Sequence, residues 1–246
     1  MESDPESIND YKIISQIGEG AYARVFLVTS PSNSHFALKM IKTDNLDKDD
    51  IRTEAVMLAS VRHPNLLWAR EFFYFCQERY FIIVTDYCEL GSLDQHFAGL
   101  DVGQLRGVFE GIANGLRYLH IQRHILHRDL KLENILLDKY IPKICDLGVS
   151  KSISGDYGRK VLGTPYYMAP EMYEGDYSLP ADIWALGVVF LEVGSGKRIW
   201  EIIGKDVVPA KVEGFPGKEV LKMVKEEYRE VVEKMLRKEV KERIGI

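Results

Sequence analysis

The residues His127-Arg128-Asp129-Leu130-Lys131-Leu132-Glu133-Asn134, followed twelve positions after Asn134 by Asp146-Leu147-Gly148, place a carboxylate, a cation and two hard-oxygen ligands within twenty residues. Moving a phosphoryl group onto a hydroxyl needs those parts in that order. Asp129 could accept the hydroxyl proton, Lys131 could neutralise charge building on the transferred group, and Asn134 and Asp146 could hold Mg²⁺. The plain alternative is a polar loop with capping residues, and the order and spacing weigh against it.

Two features nearer the N-terminus could serve the same chemistry. Gly18-Glu19-Gly20-Ala21-Tyr22-Ala23 lies between two strand patterns, and two glycines let backbone N–H groups approach a polyphosphate closely. A dinucleotide-binding turn would open a helix, whereas Arg24-Val25-Phe26-Leu27-Val28 continues as a strand, against a Rossmann site. Taken alone, the motif also fits an ordinary hairpin turn. Lys39 follows Ala37-Leu38 on an apolar strand, so it must snorkel to solvent or meet an anion. Glu54 is its natural partner, and a solvated Glu54 is the other reading.

The elements that must carry these residues are legible as two patterns. Ile13 to Ile17, Arg24 to Thr29, Phe36 to Ile41, Trp68 to Phe75 and Tyr80 to Asp86 are short β-branched and aromatic runs, bounded by turn residues. They predict a small antiparallel sheet. Asp47 to Val61 repeats Ile51, Ala55 and Leu58 at helical spacing and predicts one helix packed on it. After Leu90-Gly91-Ser92 the period becomes helical, with Leu105, Val108, Phe109, Ile112, Leu116 and Leu119 on one face. Ile183 to Val193 is apolar nearly all round and predicts a central buried helix. Lys218 to Arg237 reads as one amphipathic helix, its charges a solvated face with some i,i+4 pairing.

Composition bounds the rest. The chain has 246 residues, 46% of them hydrophobic, enough for a sizeable core in one domain or two lobes. A net charge of −5 gives no electrostatic reason to expect nucleic acid or an anionic membrane as a standing partner. The acidic start, Met1-Glu2-Ser3-Asp4-Pro5-Glu6, is unlike a signal peptide, and the longest apolar stretch is well short of the ~20 residues of a membrane helix. An intracellular location, cytoplasmic and/or nuclear, is expected. Cys76, Cys88 and Cys145 are odd in number and lack metal-ligand spacing, so neither a disulfide framework nor a zinc site is expected.

On these motifs the chain resembles the eukaryotic protein kinase family from about Tyr11 to Arg243. The resemblance implies an α+β bilobal fold, with an acidic extension over residues 1–10, an N-lobe of sheet and one main helix over about 11–87, a hinge over about 86–92, and a mostly helical C-lobe over about 93–246. It implies ATP and Mg²⁺ as cofactors. Ile17, Gly18, Gly20 and Val25 resemble the glycine-rich loop region, Lys39 the lysine on the α- and β-phosphates, and Glu54 its helix partner. Thr85 matches the gatekeeper. Asp86, Tyr87 and Cys88 match the segment that hydrogen-bonds adenine, and Val25, Ala37 and Leu136 the residues that sandwich the ring. Asp129 matches the catalytic base, Lys131 the γ-phosphate contact typical of Ser/Thr kinases, and Asn134 and Asp146 the metal ligands.

Other matches lie outside the loop. Gly163-Thr164-Pro165-Tyr166-Tyr167 resembles the platform for the substrate hydroxyl, Ala169-Pro170-Glu171 the motif closing the activation segment, Asp182 a brace for the catalytic loop, and Arg243 the partner of Glu171. Protein substrates with Ser/Thr acceptors follow, for a monomer with no nucleic-acid or membrane partner. An upstream kinase or autophosphorylation is expected to act on the activation segment, around Ser152 and Ser154, with Arg128 pairing the phosphate. Further candidates there are Ser150, Tyr157 and Thr164, the last expected rather to contact the catalytic loop. Glu133 and Glu192 match acidic positions that select arginine upstream of the acceptor in basophilic relatives. The loop leans toward calmodulin-dependent or AMP-activated-like kinases. The family pattern is departed from at Ala23, at Leu147 and at Gly196-Lys197-Arg198-Ile199-Trp200, and the short stretch after Gly187 makes the anchoring of Glu171 the expected weak point. Two other readings stay open: a pseudokinase or nucleotide-binding docking module, and a small-molecule kinase, whose known families generally lack the Ala-Pro-Glu motif and the Thr164 platform.

Overall fold

Alternating β-branched and aromatic runs with Asn-, Ser- and Gly-rich breaks fold, in the first half of the chain, into one antiparallel sheet. The computed structural model describes residues 5–20, 23–44, 48–147, 151–152, 164–175 and 178–245, with backbone alone for 48–51, 54 and 151–152. The chain divides into two compact units, residues 1–89 and 90–246.

In the first unit, β1 (Ser7–Ile8), β2 (Tyr11–Glu19), β3 (Ala23–Thr29), β4 (His35–Lys42), β5 (Ala69–Phe75) and β6 (Tyr80–Asp86) form a sheet in the order β1-β2-β3-β4-β6-β5, with α1 (Lys48–Ser60) between β4 and β5 in sequence. Alternation sorts its side chains. Phe26, Val28, Leu38, Met40, Ile82 and Val84 form a buried cluster on one face, so their neighbours in sequence point to the other. The sheet begins inside the acidic extension predicted over residues 1–10, at Ser7. Ser7 and Ile8 pair with Lys12 and Tyr11 across an Asn9-Asp10 turn, with Asn9 at φ 48°, and Ile8 is fully buried in that cluster.

The second unit is built on helices. α2 (Val102–Arg117) starts at a capping box in which Asp101 and Gln104 exchange hydrogen bonds of 2.8 and 3.0 Å. Its buried face carries Leu105, Val108, Phe109, Ile112 and Leu116, and a π turn over Tyr118–Gln122 then buries Leu119 and His120. Two short antiparallel ladders follow: β7 (Ile125–Leu126) with β10 (Lys151–Ser152), and the hairpin of β8 (Ile135–Asp138) with β9 (Ile141–Ile144). α3 (Leu179–Ser195) is buried on all sides from Ala181 to Gly194, as its apolar sequence requires. After it come α4 (Ile199–Ile203), α5 (Gly217–Met223) and α6 (Glu226–Met235). Among the described residues no helix is long and apolar enough to cross a membrane.

The single helix predicted over Lys218 to Arg237 is two, and the reason lies on α3. A Cβ on Gly194 would sit 2.9 Å from Val224 Cγ1; burying Val224 there takes it out of helical geometry, to φ −79° and ψ 142°. The Arg229 guanidinium then satisfies the freed carbonyls of Val224 and Lys222 at 2.8 and 3.2 Å. The i,i+4 pairs Glu230–Lys234 and Glu233–Arg237 do form on the solvated face of α6.

Gly187, two turns before Gly194 on α3, meets α6 equally closely: an added Cβ would lie 2.9 Å from Leu236 Cγ and from Met235 Cβ. Gly187→Ala gains up to ~1 kcal/mol of helix propensity but overpacks this contact, which costs about 1–3 kcal/mol. Net destabilisation is expected in urea denaturation, and a variant as stable as the parent would refute so close an approach.

Candidate active site

The start of the His127–Asn134 loop is held by one buried carboxylate. Asp182, in the first turn of α3, accepts the backbone N–H of His127 and of Arg128, each at 2.8 Å, and the Nε2 of His120 at 2.8 Å. Complete burial works to raise its pKa, but the His120 hydrogen bond, the nearby imidazoles and the Arg128 N–H pull it below the usual carboxylate range. Arg128 itself adopts φ 73°, a left-handed backbone that costs on the order of 1–3 kcal/mol. Asp182 grips the N–H on both sides of the peptide that leads into it. His127 fixes the next step. Its Nδ1 accepts the Asp129 N–H at 3.3 Å, so Nε2 carries the proton and donates to the Cys145 carbonyl at 2.9 Å. One imidazole thus ties Asp129 to the residue preceding Asp146.

Around Asp129 the polar contacts among the described residues are complementary. Oδ1 accepts the Thr164 N–H at 3.1 Å and its hydroxyl at 3.0 Å, while Oδ2 receives Lys131 Nζ at 2.8 Å and Asn134 Nδ2 at 3.1 Å. Lys131 Nζ also donates to Thr164 Oγ1 at 3.0 Å. Thr164 therefore shows how a hydroxyl is received here, giving its proton to the carboxylate and taking one from the ammonium. Asn134 spends its amide hydrogens on Asp129, also reaching that residue's carbonyl at 2.7 Å, which leaves its Oδ1 as an acceptor. Its backbone carbonyl takes the Cys145 N–H at 2.9 Å, placing Asn134 beside the segment that presents Asp146, an exposed residue at φ 61°. An amide oxygen and a carboxylate, completed by phosphate oxygens, form a donor set suited to Mg²⁺.

The first unit places its own candidates on one sheet face. Val25 is paired with Lys39 and Lys39 with Ile83, while Leu27 is paired with Ala37 and Ala37 with Thr85. Val25, Ala37, Lys39 and Thr85 thus share the face opposite the apolar cluster. Ile17, 44% exposed, is the extra residue of a bulge where Gln16 pairs with Phe26 and Gly18 with Val25. Gly20 N–H donates to Ala23 O at 2.8 Å and closes the turn. Thr85 and Cys88 are buried, and Asp86 accepts Arg70 Nε at 2.6 Å. In the second unit Leu136 lies on β8, half-buried and bridged to Ser92. Glu54 lies on α1 with its side chain outside the described residues, as do Ser150, Ser154 and Tyr157; Ser152 is described by backbone alone.

A model of the protein kinase domain matches residues 11–246. The chain belongs to the protein kinase family. Similar proteins include cysteine-rich receptor-like protein kinase 6 of Oryza sativa subsp. japonica, 35% identical over 77% of this chain and 29% of that protein. Serine/threonine-protein kinase Nek5 of Homo sapiens is 33% identical over 79% of this chain and 29% of its own length, and Nek3 of Mus musculus 33% over 76% and 38%. The kinase chain thus spans about a third of these relatives.

The kinase-family motif finds its structural partners beyond the loop. Glu171 is bound by Arg243, which is fully buried and donates from Nη1 at 2.5 Å and from Nη2 at 3.1 Å. Sequence reading missed His120, because a histidine after an amphipathic helix carries no spacing signal; Tyr167, named there only within the platform motif, donates its hydroxyl to Glu192 at 2.7 Å. Glu192 also accepts the Ile199 N–H at 2.8 Å. Burial, the largest influence, pushes its carboxyl up to about 7, against these hydrogen bonds and the Arg198 cation, which act to lower it.

A pH dependence follows. The unfolded chain releases the Glu192 proton near the ordinary value of 4.5, whereas the folded protein keeps it to about 7. Between those limits the native state binds more protons, so stability falls as pH rises through the window and levels off above it, a change on the order of 3 kcal/mol. Glu192→Gln removes the titration and should flatten that slope. Parallel melting-temperature profiles for the two proteins from pH 4.5 to 7 would refute the assignment.

Proposed function

We propose that this chain transfers the γ-phosphoryl group of ATP to serine and threonine hydroxyls of protein substrates. The supporting observation is the closed network of Asp129, Lys131, Thr164 and Asn134, in which a hydroxyl already sits 3.0 Å from both the carboxylate and the ammonium. An acceptor hydroxyl meeting Asp129 in the same way is oriented for in-line attack and gives up its proton to the carboxylate as the new bond forms. Lys131 offsets negative charge on the group in flight. Asn134 Oδ1 and the Asp146 carboxylate would hold Mg²⁺, which supplies charge neutralisation on the phosphate oxygens. Lys39 serves the α- and β-phosphates, and Val25 and Ala37 offer adenine an apolar face next to it. Positioning and electrostatics carry most of the rate.

The test is incubation of the purified chain with Mg²⁺ and γ-labelled ATP, with and without a degenerate Ser/Thr peptide library, followed by phosphoamino-acid analysis. Phosphoserine and phosphothreonine are expected. Nucleotide binding with no transfer to any peptide would leave the docking-module reading, and label on tyrosine alone would overturn the acceptor class.

A further inference from the structure

Three carboxylates converge on one guanidinium just below the catalytic loop. Arg198 Nη1 donates to Asp94 Oδ1, Nη2 to Glu133 Oε1 at 2.5 Å, and Nε lies 3.5 Å from Glu192 Oε1. The Arg198 side chain is 11% exposed and Glu192 fully buried, whereas Asp94 and Glu133 are 37% and 41% exposed. The guanidinium also stacks 4.2 Å over the Trp200 ring, and its backbone N–H is taken by Glu201 at 2.7 Å.

The location matters more than the strength of the pairs. Glu133 stands between Lys131 and Asn134, both of which touch Asp129. Glu192 holds the hydroxyl of Tyr167, three residues past Thr164. This acidic slot therefore adjoins the acceptor position, and its geometry, two half-exposed carboxylates above a buried one, is complementary to a planar guanidinium. That guanidinium is already present. Arg198 is six residues from Glu192 in the same chain and held by stacking and by the Glu201 contact. Its effective concentration at the slot is therefore on the order of millimolar or higher, beyond the reach of a substrate arginine at cellular concentrations.

We infer that Arg198 is the resident occupant of this slot and a specificity-determining residue: it fills the place a substrate arginine would take, so the chain phosphorylates Ser/Thr sites without selecting arginine upstream. This rests on the phosphotransfer reading above. It also reverses the expectation drawn from Glu133 and Glu192 in the sequence, where the pairing of both with Arg198 was invisible.

The experiment compares kcat/KM for Ser peptides carrying either Arg or Ala at each upstream position, using wild type, R198A, E133Q and R198A/E133Q. Wild type should show an Arg/Ala ratio within about twofold of one. R198A should raise it roughly tenfold at one position, the effect of one charge-assisted hydrogen bond, and E133Q in that background should abolish the gain. A wild-type preference for arginine that E133Q lowers would overturn the inference, as would an active R198A with an unchanged ratio. If R198A does not fold, wild type against E133Q still decides: equal ratios support the resident arginine, and a drop in E133Q removes it. Failure of the phosphotransfer reading looks different, since wild type would then label neither the Arg nor the Ala peptides, and the inference would fall with it.

Discussion

Asp129→Asn is expected to slow phosphoryl transfer by roughly 10³-fold, the range contributed by a positioned general base, while nucleotide binding stays within a few-fold. The four contacts on the carboxylate explain why so small a change matters. Thr164 donates twice to Oδ1, and Lys131 and Asn134 donate to Oδ2. An asparagine keeps one oxygen but turns its NH₂ toward two of these donors, so it can neither accept the substrate proton nor hold Lys131 in an ion pair. The mismatch costs about 1–3 kcal/mol, tolerable for a domain whose stability is typically 5–15 kcal/mol. The variant should thus remain folded, which urea denaturation checks alongside single-turnover transfer to a Ser peptide. A rate within tenfold of the parent in a folded variant would remove Asp129 from the role of base.

How much of this was readable in the residues depends on the range of each interaction. Strands β3, β4 and β6 were predictable because β-branched and aromatic runs of seven or eight residues bounded by turn residues are a local signal, and the period of two in any strand then sorts Val25, Ala37, Lys39 and Thr85 onto one face. Strand β1 was not, since two residues are too few to show a period, although the Asn9-Asp10 turn was its trace. In the catalytic loop, the order of Asp129, Lys131 and Asn134 announced the chemistry within six residues. What holds that loop comes from far away: Asp182 lies more than fifty residues on, and His120 joins it from the π turn after α2. The break at Val224 could not be read from α5 and α6 at all, because the cause is a glycine on α3. Arg198 was visible only as a departure from the family pattern, and its partners Asp94 and Glu133 lie 104 and 65 residues away in sequence.

Arg243→Ala should be the most damaging single change to stability, at about 3–5 kcal/mol, the cost of leaving one member of a buried ion pair without its partner. The side chain is wholly buried and each of its five N–H groups has an acceptor: Glu171 Oε1 and Oε2, and the carbonyls of Arg237, Pro180 and Lys238. Truncation strands the Glu171 carboxylate, 9% exposed, together with three carbonyls. Lysine cannot repair this, because one ammonium does not span both carboxylate oxygens and the three carbonyls, so Arg243→Lys should recover less than half of the loss. Replacing both partners, as in Glu171→Met with Arg243→Met, removes the stranded charge and should be less destabilising than the sum of the single changes, which a double-mutant cycle in urea would measure. Activity should fall as well. Glu171 is seven residues beyond Thr164 in the same segment, so releasing it frees the segment that lays the Thr164 hydroxyl on Asp129. A drop in transfer rate at temperatures where Arg243→Lys is still folded is the expected signature, and additive cycle energies with unchanged activity would show the pair to be independent of the site.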